Sequence, residues 1–410
     1  MKQYLIYMNW DGFGRYYFDC MPDRETRLPT LTSLLSEGTF FENARTGIPS
    51  ITFPMQSSIV SGCYSQGTGN CDKFWDRQAN EIRPLGRFNR AETIGEVLRR
   101  QQIPFVSIQQ FALQDKGAET NNPDFLYLQP GGDFQVRFQM LDQLLLEKRI
   151  QTDTGEIRFQ QLPQAIFAYM DDLDTVGHNP PWVGALTEEQ RVAAVHRRLC
   201  AMDQALARTI AILKQIGIYS RTYFLLTTDH GMISYRGPSK MPLLRRALEQ
   251  MGCGRVEVKN TGSLKNREFD VLLTSHDIQC QVYFKNRQVD QQAIRRRLLE
   301  LPFVEQVLTR EQLDARGVCA EYADMVVSPV EGMCFSTGLV PPGLHATHDS
   351  LHPKCQWIFA YLGGPGIRCG YRSEIPVQNI DFLPALCRRL QLPIMGSAAP
   401  TQTLSDIFIE

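Results

Sequence analysis

Tyr223-Phe224-Leu225-Leu226-Thr227-Thr228-Asp229-His230-Gly231-Met232 sets an apolar, β-prone run directly before an acid, an imidazole and a glycine. Such a run fits a strand covered on both faces, as in a parallel sheet. Adjacent side chains diverge in a regular strand, so Asp229 and His230 reach one ion only where the chain turns, and Gly231 makes that turn feasible. The texture recurs twice: Leu5-Ile6-Tyr7-Met8 leads to Asp11, and Ala165-Ile166-Phe167-Ala168-Tyr169-Met170 leads to Asp174. In open α/β sheets ligands bind beyond the carboxyl ends of the strands. Any one of these acids alone reads as a turn or helix cap. Three buried strands each delivering a carboxylate to the same edge predict one anionic cluster.

Working outward, apolar runs alternate with helical patterns, which predicts an α/β fold: a mostly parallel central sheet with helices on both faces. The longest helix is expected over 187–216, opened by Thr187-Glu188-Glu189-Gln190 and closed by Gly217. Its stripe Val192, Val195, Leu199, Met202, Leu206, Ile210, Leu213 faces the sheet, and His196 beside it reads as structural. From about 240 the texture changes. A basic amphipathic helix over 291–301, with Arg295-Arg296-Arg297, lies between strand candidates 279–284 and 304–308. We therefore expect a metal-binding core from 1–240 and 336–410 and a small inserted α+β cap lobe over 241–335. The three arginines read as a solvated outer face.

Lysine and arginine number 43 against 44 aspartates and glutamates in 410 residues. With no global field to attract nucleic-acid polymer or an anionic membrane, any phosphate binding has to come from a local site. The first strand begins almost at Met1, without a basic and apolar leader, and no apolar run has membrane-spanning length; the expected location is cytoplasmic. Eleven scattered cysteines without a C-x-x-C pair read as reduced, mostly buried residues.

Four segments carry chemistry. Asp174 and His178 stand four apart with Gly177 between them, a spacing that lets both converge on one metal when the turn is tight; Asp171 and Asp172 compete with Asp174 for that role. Asp229-His230 forms a second pair. In Ile48-Pro49-Ser50-Ile51-Thr52-Phe53-Pro54 and onward to Gly62, Thr52 stands where a helix N-cap is expected, with Pro54 in the first turn. An alkoxide there meets unpaired backbone N–H groups and the positive end of the helix dipole, but a free threonine is a poor nucleophile until a metal lowers its pKa. Finally, His345, His348 and His352 fall within eight residues, so at least one is expected to be a ligand.

Together these segments resemble the alkaline phosphatase superfamily, most closely its nucleotide pyrophosphatase/phosphodiesterase and phosphonoacetate hydrolase branch. The order Asp11-Gly12, Thr52-Phe53-Pro54, Asp174/Gly177-His178, Asp229-His230-Gly231, His348-Asp349-Ser350 and the closing Gly364-Pro365-Gly366-Ile367 and Asn379-Ile380-Asp381-Phe382-Leu383-Pro384 carries the likeness. The resemblance implies an alkaline phosphatase-like fold and two divalent metal ions, usually zinc, with manganese or iron also suited to such ligands. It implies Asp174, His178 and His348 at one ion, and Asp11, Asp229, His230 and the Thr52 oxygen at the other. The family pattern His-Gly-Ser reads His348-Asp349-Ser350 here, which leaves His345 and His352 as alternatives to His348. An asparagine that holds a phosphoryl oxygen follows the nucleophile helix in the family, and Asn70 is the candidate.

The implied reaction is cleavage of a phosphodiester or nucleotide pyrophosphate bond in a small-molecule substrate, through a covalent phospho-threonine on catalytic Thr52. A phosphonate hydrolase with the same site is the alternative, and a catalytically inactive metal-binding scaffold is the non-enzymatic one. Sulfatases need a cysteine or serine followed by x-Pro-x-Arg, whereas Thr52 precedes Phe53-Pro54-Met55-Gln56. Metal-dependent phosphoglycerate mutases use a serine and a much larger insertion, and no P-loop or H-E-x-x-H helix is present. Phe13, Phe53, Trp75 and Trp182 are aromatic residues that either stack on a nucleobase or fill the core.

Overall fold

The computed structural model describes residues 2–152, 155–399 and 404–409. Its spine is an eight-stranded sheet in the spatial order Tyr371–Ser373, Gly38–Phe41, Tyr361–Gly363, Thr222–Thr227, Tyr4–Trp10, Ala165–Met170, Phe105–Ile108, Phe125–Leu128. The five strands from Thr222–Thr227 to Phe125–Leu128 run parallel, while Tyr361–Gly363 is antiparallel to both of its neighbours. The three acid-ending strands are adjacent: Tyr4–Trp10 lies between the other two, with Tyr7 level with Phe167 on one side and Leu225 on the other. That register brings all three carboxylate-bearing turns to one edge.

Alternation along each strand divides the core in two. Ile6, Met8 and Trp10 join Leu199, Met202, Leu206, Leu141 and Leu34 from the helices Glu188–Gln215, Phe134–Glu147 and Pro29–Glu37 on one face. Leu5 and Tyr7 join Ile59, Val97 and Leu386 from Thr52–Ser61, Ile94–Arg100 and Phe382–Arg389 on the other. Helices therefore cover both faces, as the sequence predicts, and each fully buried large apolar side chain contributes about 1.5–3 kcal/mol. The long helix begins after Thr187, whose side chain accepts from Gln190 N, and ends before Gly217 at φ +71°. His196 is buried, with its ring nitrogen 2.9 Å from the Tyr17 carbonyl. All eleven cysteines are free thiols.

Residues 241–335 carry a second, five-stranded sheet in the order Val256–Val258, Val271–Ser275, Cys280–Phe284, Met325–Pro329, Val304–Thr309. Its alternate residues face opposite ways. Val271, Leu273, Val282 and Val307 pack under the helices Met241–Gln250 and Gln291–Leu298. Leu272, Tyr283, Leu308 and Val326 instead meet Ile48, Trp75 and Ile82 from earlier in the chain. The hairpin formed by Lys73–Asp76 and Glu81–Pro84 also pairs with Gly262–Ser263, so this sheet is anchored by a segment well outside 241–335. Of the three arginines, Arg295 donates to the Val307 carbonyl and Arg297 to that of Met251, which makes them helix ties rather than a phosphate patch.

Candidate active site

Backbone turns, not the strands themselves, aim the site residues. Asp11 N donates to the Met170 carbonyl at 2.8 Å, and Asp174 N to the Asp11 carbonyl at 3.0 Å, so the first two acid-bearing turns are laced together. Gly12 makes this possible: its φ is +76°, and a Cβ there would lie 2.8 Å from Asp174 Cα. Asp171 and Asp172, the competitors of Asp174, are held elsewhere, at 2.5 Å from Arg137 and 2.6 Å from Arg198 respectively.

Three histidines converge on these acids. His230 Nε2 lies 3.5 Å from Asp11 Oδ1 and 3.6 Å from Asp229 Oδ2; His178 Nε2 lies 3.3 Å from Asp174 Oδ2, and His348 Nε2 3.8 Å from Asp174 Oδ1. The rings of His230 and His348 stack at 3.9 Å. Each imidazole turns Nδ1 to a backbone carbonyl: His178 to Ala346 at 2.9 Å, His230 to Gly231 at 3.1 Å, His348 to Ser50 at 3.0 Å. A donor at Nδ1 leaves the Nε2 lone pair free for a cation, a common second support of metal-binding histidines. His345 and His352 are not in this group. The first faces the Pro341 carbonyl at 2.8 Å, and the second caps the helix Pro353–Gln356 through Lys354 N.

The carboxylates show the same division of labour. Asp11 Oδ2 accepts from the Tyr169 hydroxyl, and Asp229 Oδ1 from Thr228 Oγ1 and His230 N, both at 3.1 Å. The opposite oxygens, Asp11 Oδ1 and Asp229 Oδ2, and likewise Asp174 Oδ1, are buried without a hydrogen-bond partner. Leaving three buried carboxylate oxygens unmatched is costly unless a cation meets them. Burial, then the charges of Asp229 and Asp174, push the Asp11 carboxyl well above its usual range. At Asp174 burial opposes ionisation, but adjacent His178 overrides it and holds the carboxyl low. Burial, with His230 and His178, depresses His348 and keeps it neutral. Two sets of donor atoms lie mutually within 4.8 Å: Asp174, His230 and His348, and Asp11, Asp229 and His230. Three carboxylates and three imidazoles suit divalent cations. His230 belongs to both sets, and His178 joins through Asp174.

Thr52 departs from the expected N-cap. The helix Thr52–Ser61 is capped by Ile51, which makes no side-chain bond, so Thr52 is its first residue. Its Oγ1 is not tied to a backbone N–H but lies 3.2 Å from His230 Nε2, facing the cluster. Asn70 does not serve as expected either. Its two amide N–H groups donate to the Gly86 and Phe88 carbonyls at 2.9 and 2.8 Å, and its oxygen accepts from Asp72 N at 3.0 Å. With both donors committed to bracing this loop, none is left for a phosphoryl oxygen.

The sequence matches the family described as type I phosphodiesterase / nucleotide pyrophosphatase over residues 5–332. The chain belongs to that family. It is thereby a member of the alkaline phosphatase superfamily and a metal-dependent phosphoric-ester hydrolase of the phosphodiesterase class. No curated protein sequence matches it. Among solved structures it is similar to human ectonucleotide pyrophosphatase/phosphodiesterase 5, with a TM-score of 0.68 at 15% identity over 100% of both chains. The murine protein gives 0.66 at 15% identity, over 99% of this chain and 100% of that one. An inactive threonine-to-alanine variant of the murine protein in complex with AMP gives 0.67 at 15% identity, over 100% of both chains. At this identity the likeness is one of fold.

Sequence reading missed several contributors. His276, at the tip between Val271–Ser275 and Cys280–Phe284, lays its ring 6.0 Å from that of His348. Gln279, just before the strand Cys280–Phe284, and Gln281 within it donate to the two oxygens of Asp349 at 2.5 and 3.1 Å. Asp349 itself takes the left-handed φ of +64°, where the family pattern has glycine. Burial, followed by the charge of Asp72, pushes its carboxyl up to about 8. No local pattern marks these residues, because each matters only through a neighbour distant in sequence. Of the four aromatic candidates, Phe13 and Trp75 are core, while Phe53 and Trp182 are exposed.

Proposed function

We propose that the protein cleaves nucleotide phosphodiester or pyrophosphate bonds in two steps, with Thr52 as the nucleophile. Asp174, His178 and His348 would hold one divalent cation, zinc in this reading, and Asp11, Asp229, His230 and Thr52 the other. The observation that carries the proposal is the Thr52 hydroxyl, free of capping and 3.2 Å from His230 Nε2 among unmatched carboxylate oxygens. Bound cations supply a lowered hydroxyl pKa at Thr52 and neutralise charge on the phosphoryl and leaving oxygens.

Thr52 Oγ1 then bonds to phosphorus as the bond from phosphorus to the leaving oxygen breaks; the hydroxyl proton passes to solvent, and the departing oxygen leaves with the bonding pair and takes up a proton from solvent. The product is a phospho-threonine, which for a diester still carries one ester group. Water releases it and returns the proton to Thr52. The chain's own part is positional: Nδ1 contacts orient three imidazoles, Tyr169 and Thr228 orient two carboxylates, and the helix Thr52–Ser61 offers its unpaired N–H groups to phosphoryl oxygen. The AMP complex of the murine neighbour supports a nucleotide substrate. Exposed Phe53, next to Thr52, gives a base a surface on which to stack.

The test is p-nitrophenol release from bis-p-nitrophenyl phosphate by the metal-loaded enzyme, its chelated form and Thr52→Ala. Chelation should abolish turnover, and Thr52→Ala should lower it by at least about 10³-fold while metal content is kept. Acid quenching should trap the substrate-derived adduct on the peptide containing Thr52. Full activity in Thr52→Ala would end this reading. A preference for diester over monoester places the enzyme with phosphodiesterases; selective release of phosphate from a phosphonate would favour the alternative substrate class.

A further inference from the structure

A cleft of about 960 Å³ opens between the core and the second sheet's lobe, and none of the residues assigned to the metal cluster lines it. Its walls bring two guanidinium groups towards each other. Arg45 stands on the strand Ala44–Arg45 of the core, and Arg316 follows the helix Arg310–Asp314 of the lobe. Neither guanidinium makes a hydrogen bond or ion pair to a protein group among the described residues. Arg45 lies over the ring of Trp357, also a wall residue, at 5.3 Å. Arg316 has its pKa lowered, first by burial and then by the charge of Arg45.

Both acids that line the cleft are engaged with other groups. Asp314 is bonded to Arg310 at 3.1 Å, and Asp381 Oδ2 accepts from Gln378 N at 2.7 Å. Two like charges on opposing walls repel, and one shared dianion reverses the sign of that interaction while occupying both planar donor forks. The cleft also carries an aromatic face. We propose that it binds the dianion of phosphate or a phosphomonoester, held between Arg45 and Arg316, as a second anion site apart from the catalytic cluster. Such a ligand would join lobe to core beside Thr46, whose hydroxyl donates to the Asp229 carbonyl.

Trp357 provides the reporter. The metal-loaded enzyme is titrated with inorganic phosphate and separately with AMP at constant ionic strength, and the signal from Trp357→Phe is subtracted. We expect saturable Trp357-dependent quenching. Its midpoint should rise about tenfold or more in Arg316→Gln and further in the Arg45→Gln/Arg316→Gln double variant, with bis-p-nitrophenyl phosphate turnover unchanged. The Arg316 guanidinium makes no hydrogen bond among the described residues, and an unchanged urea midpoint in Arg316→Gln checks that the fold is kept. Tighter binding of AMP than of phosphate would assign the site to organic phosphomonoesters; equal binding would assign it to the phosphate group alone. No Trp357-dependent signal at millimolar ligand, or the same midpoint in wild type and both variants, overturns the proposal. Loss of turnover in Arg316→Gln at an unchanged urea midpoint would place these arginines in the catalytic site and likewise overturn the proposal, whereas failure of Thr52→Ala to lose activity bears on the catalytic assignment alone.

Discussion

Thr52 and Asn70 show how little a residue's type says until its hydrogen bonds are known. Both are polar residues on one stretch, and both read as candidates for contact with a phosphoryl group. The structure separates them by what their side chains already hold: Thr52 Oγ1 faces His230, whereas Asn70 spends both amide hydrogens on its own loop. Asn70→Ala should therefore act on stability. Removing two bonds to carbonyls and one to Asp72 N is expected to cost about 2–3 kcal/mol, read as a lower urea midpoint, with kcat and KM within a few fold of wild type. A wild-type midpoint combined with a large loss of kcat would restore Asn70 to the substrate site. The histidines follow the same logic. His348 was one of three within eight residues, and only its tertiary partners, the Ser50 carbonyl and Asp174, distinguish it from His345 and His352.

At the level of elements, the site depends on turns that let strands end abruptly. Gly12 sits in one of them, where Asp174 backbone occupies the space a side chain would need. Gly12→Ala should force the Asp11 and Asp174 turns apart, with strain of about 1–3 kcal/mol. Metal stoichiometry and turnover should fall together; a variant that retains full metal content would show that the close approach is dispensable. The long helix Glu188–Gln215 offers a different test through His196. Burial lowers the His196 pKa below its ordinary value, so between that value and the folded one the unfolded chain binds a proton that the native state does not. Stability thus falls as pH drops below about 6.5. His196→Gln should lose less stability than wild type between pH 7.5 and 5.5 in urea unfolding, and an equal loss in both would refute this origin.

For the whole molecule, the acidic cluster is a source of instability that metal converts into its opposite. Without cations, burial and the neighbouring carboxylates work against an ionised Asp11. A ligand that binds only the folded state at about 1,000 times its Kd adds about 4 kcal/mol. Chelation should accordingly lower Tm by several degrees, and Asp11→Asn should narrow that gap from both sides, stabilising the chelated form and weakening metal binding. An unchanged gap in Asp11→Asn, measured by calorimetry, would place Asp11 outside the metal cluster. The lobe belongs at this scale too, since His276, Gln279 and Gln281 reach the site only because its sheet packs on Trp75 and Ile82. The sequence by itself determined the parallel core, the acid-ending strands and most of the acids and imidazoles that cluster beyond them, because strand burial, periodicity and turn chemistry are local and repeat along the chain. Only the tertiary structure decided which histidine of three joins the cluster, that Thr52 is not a cap, and that Asn70 is a brace. The first two outcomes rest on contacts between segments far apart in the chain, Thr52 with His230 and His348 with Ser50, and the third on a loop fold that brings Asn70 to the Gly86 and Phe88 carbonyls; no local pattern encodes such pairings.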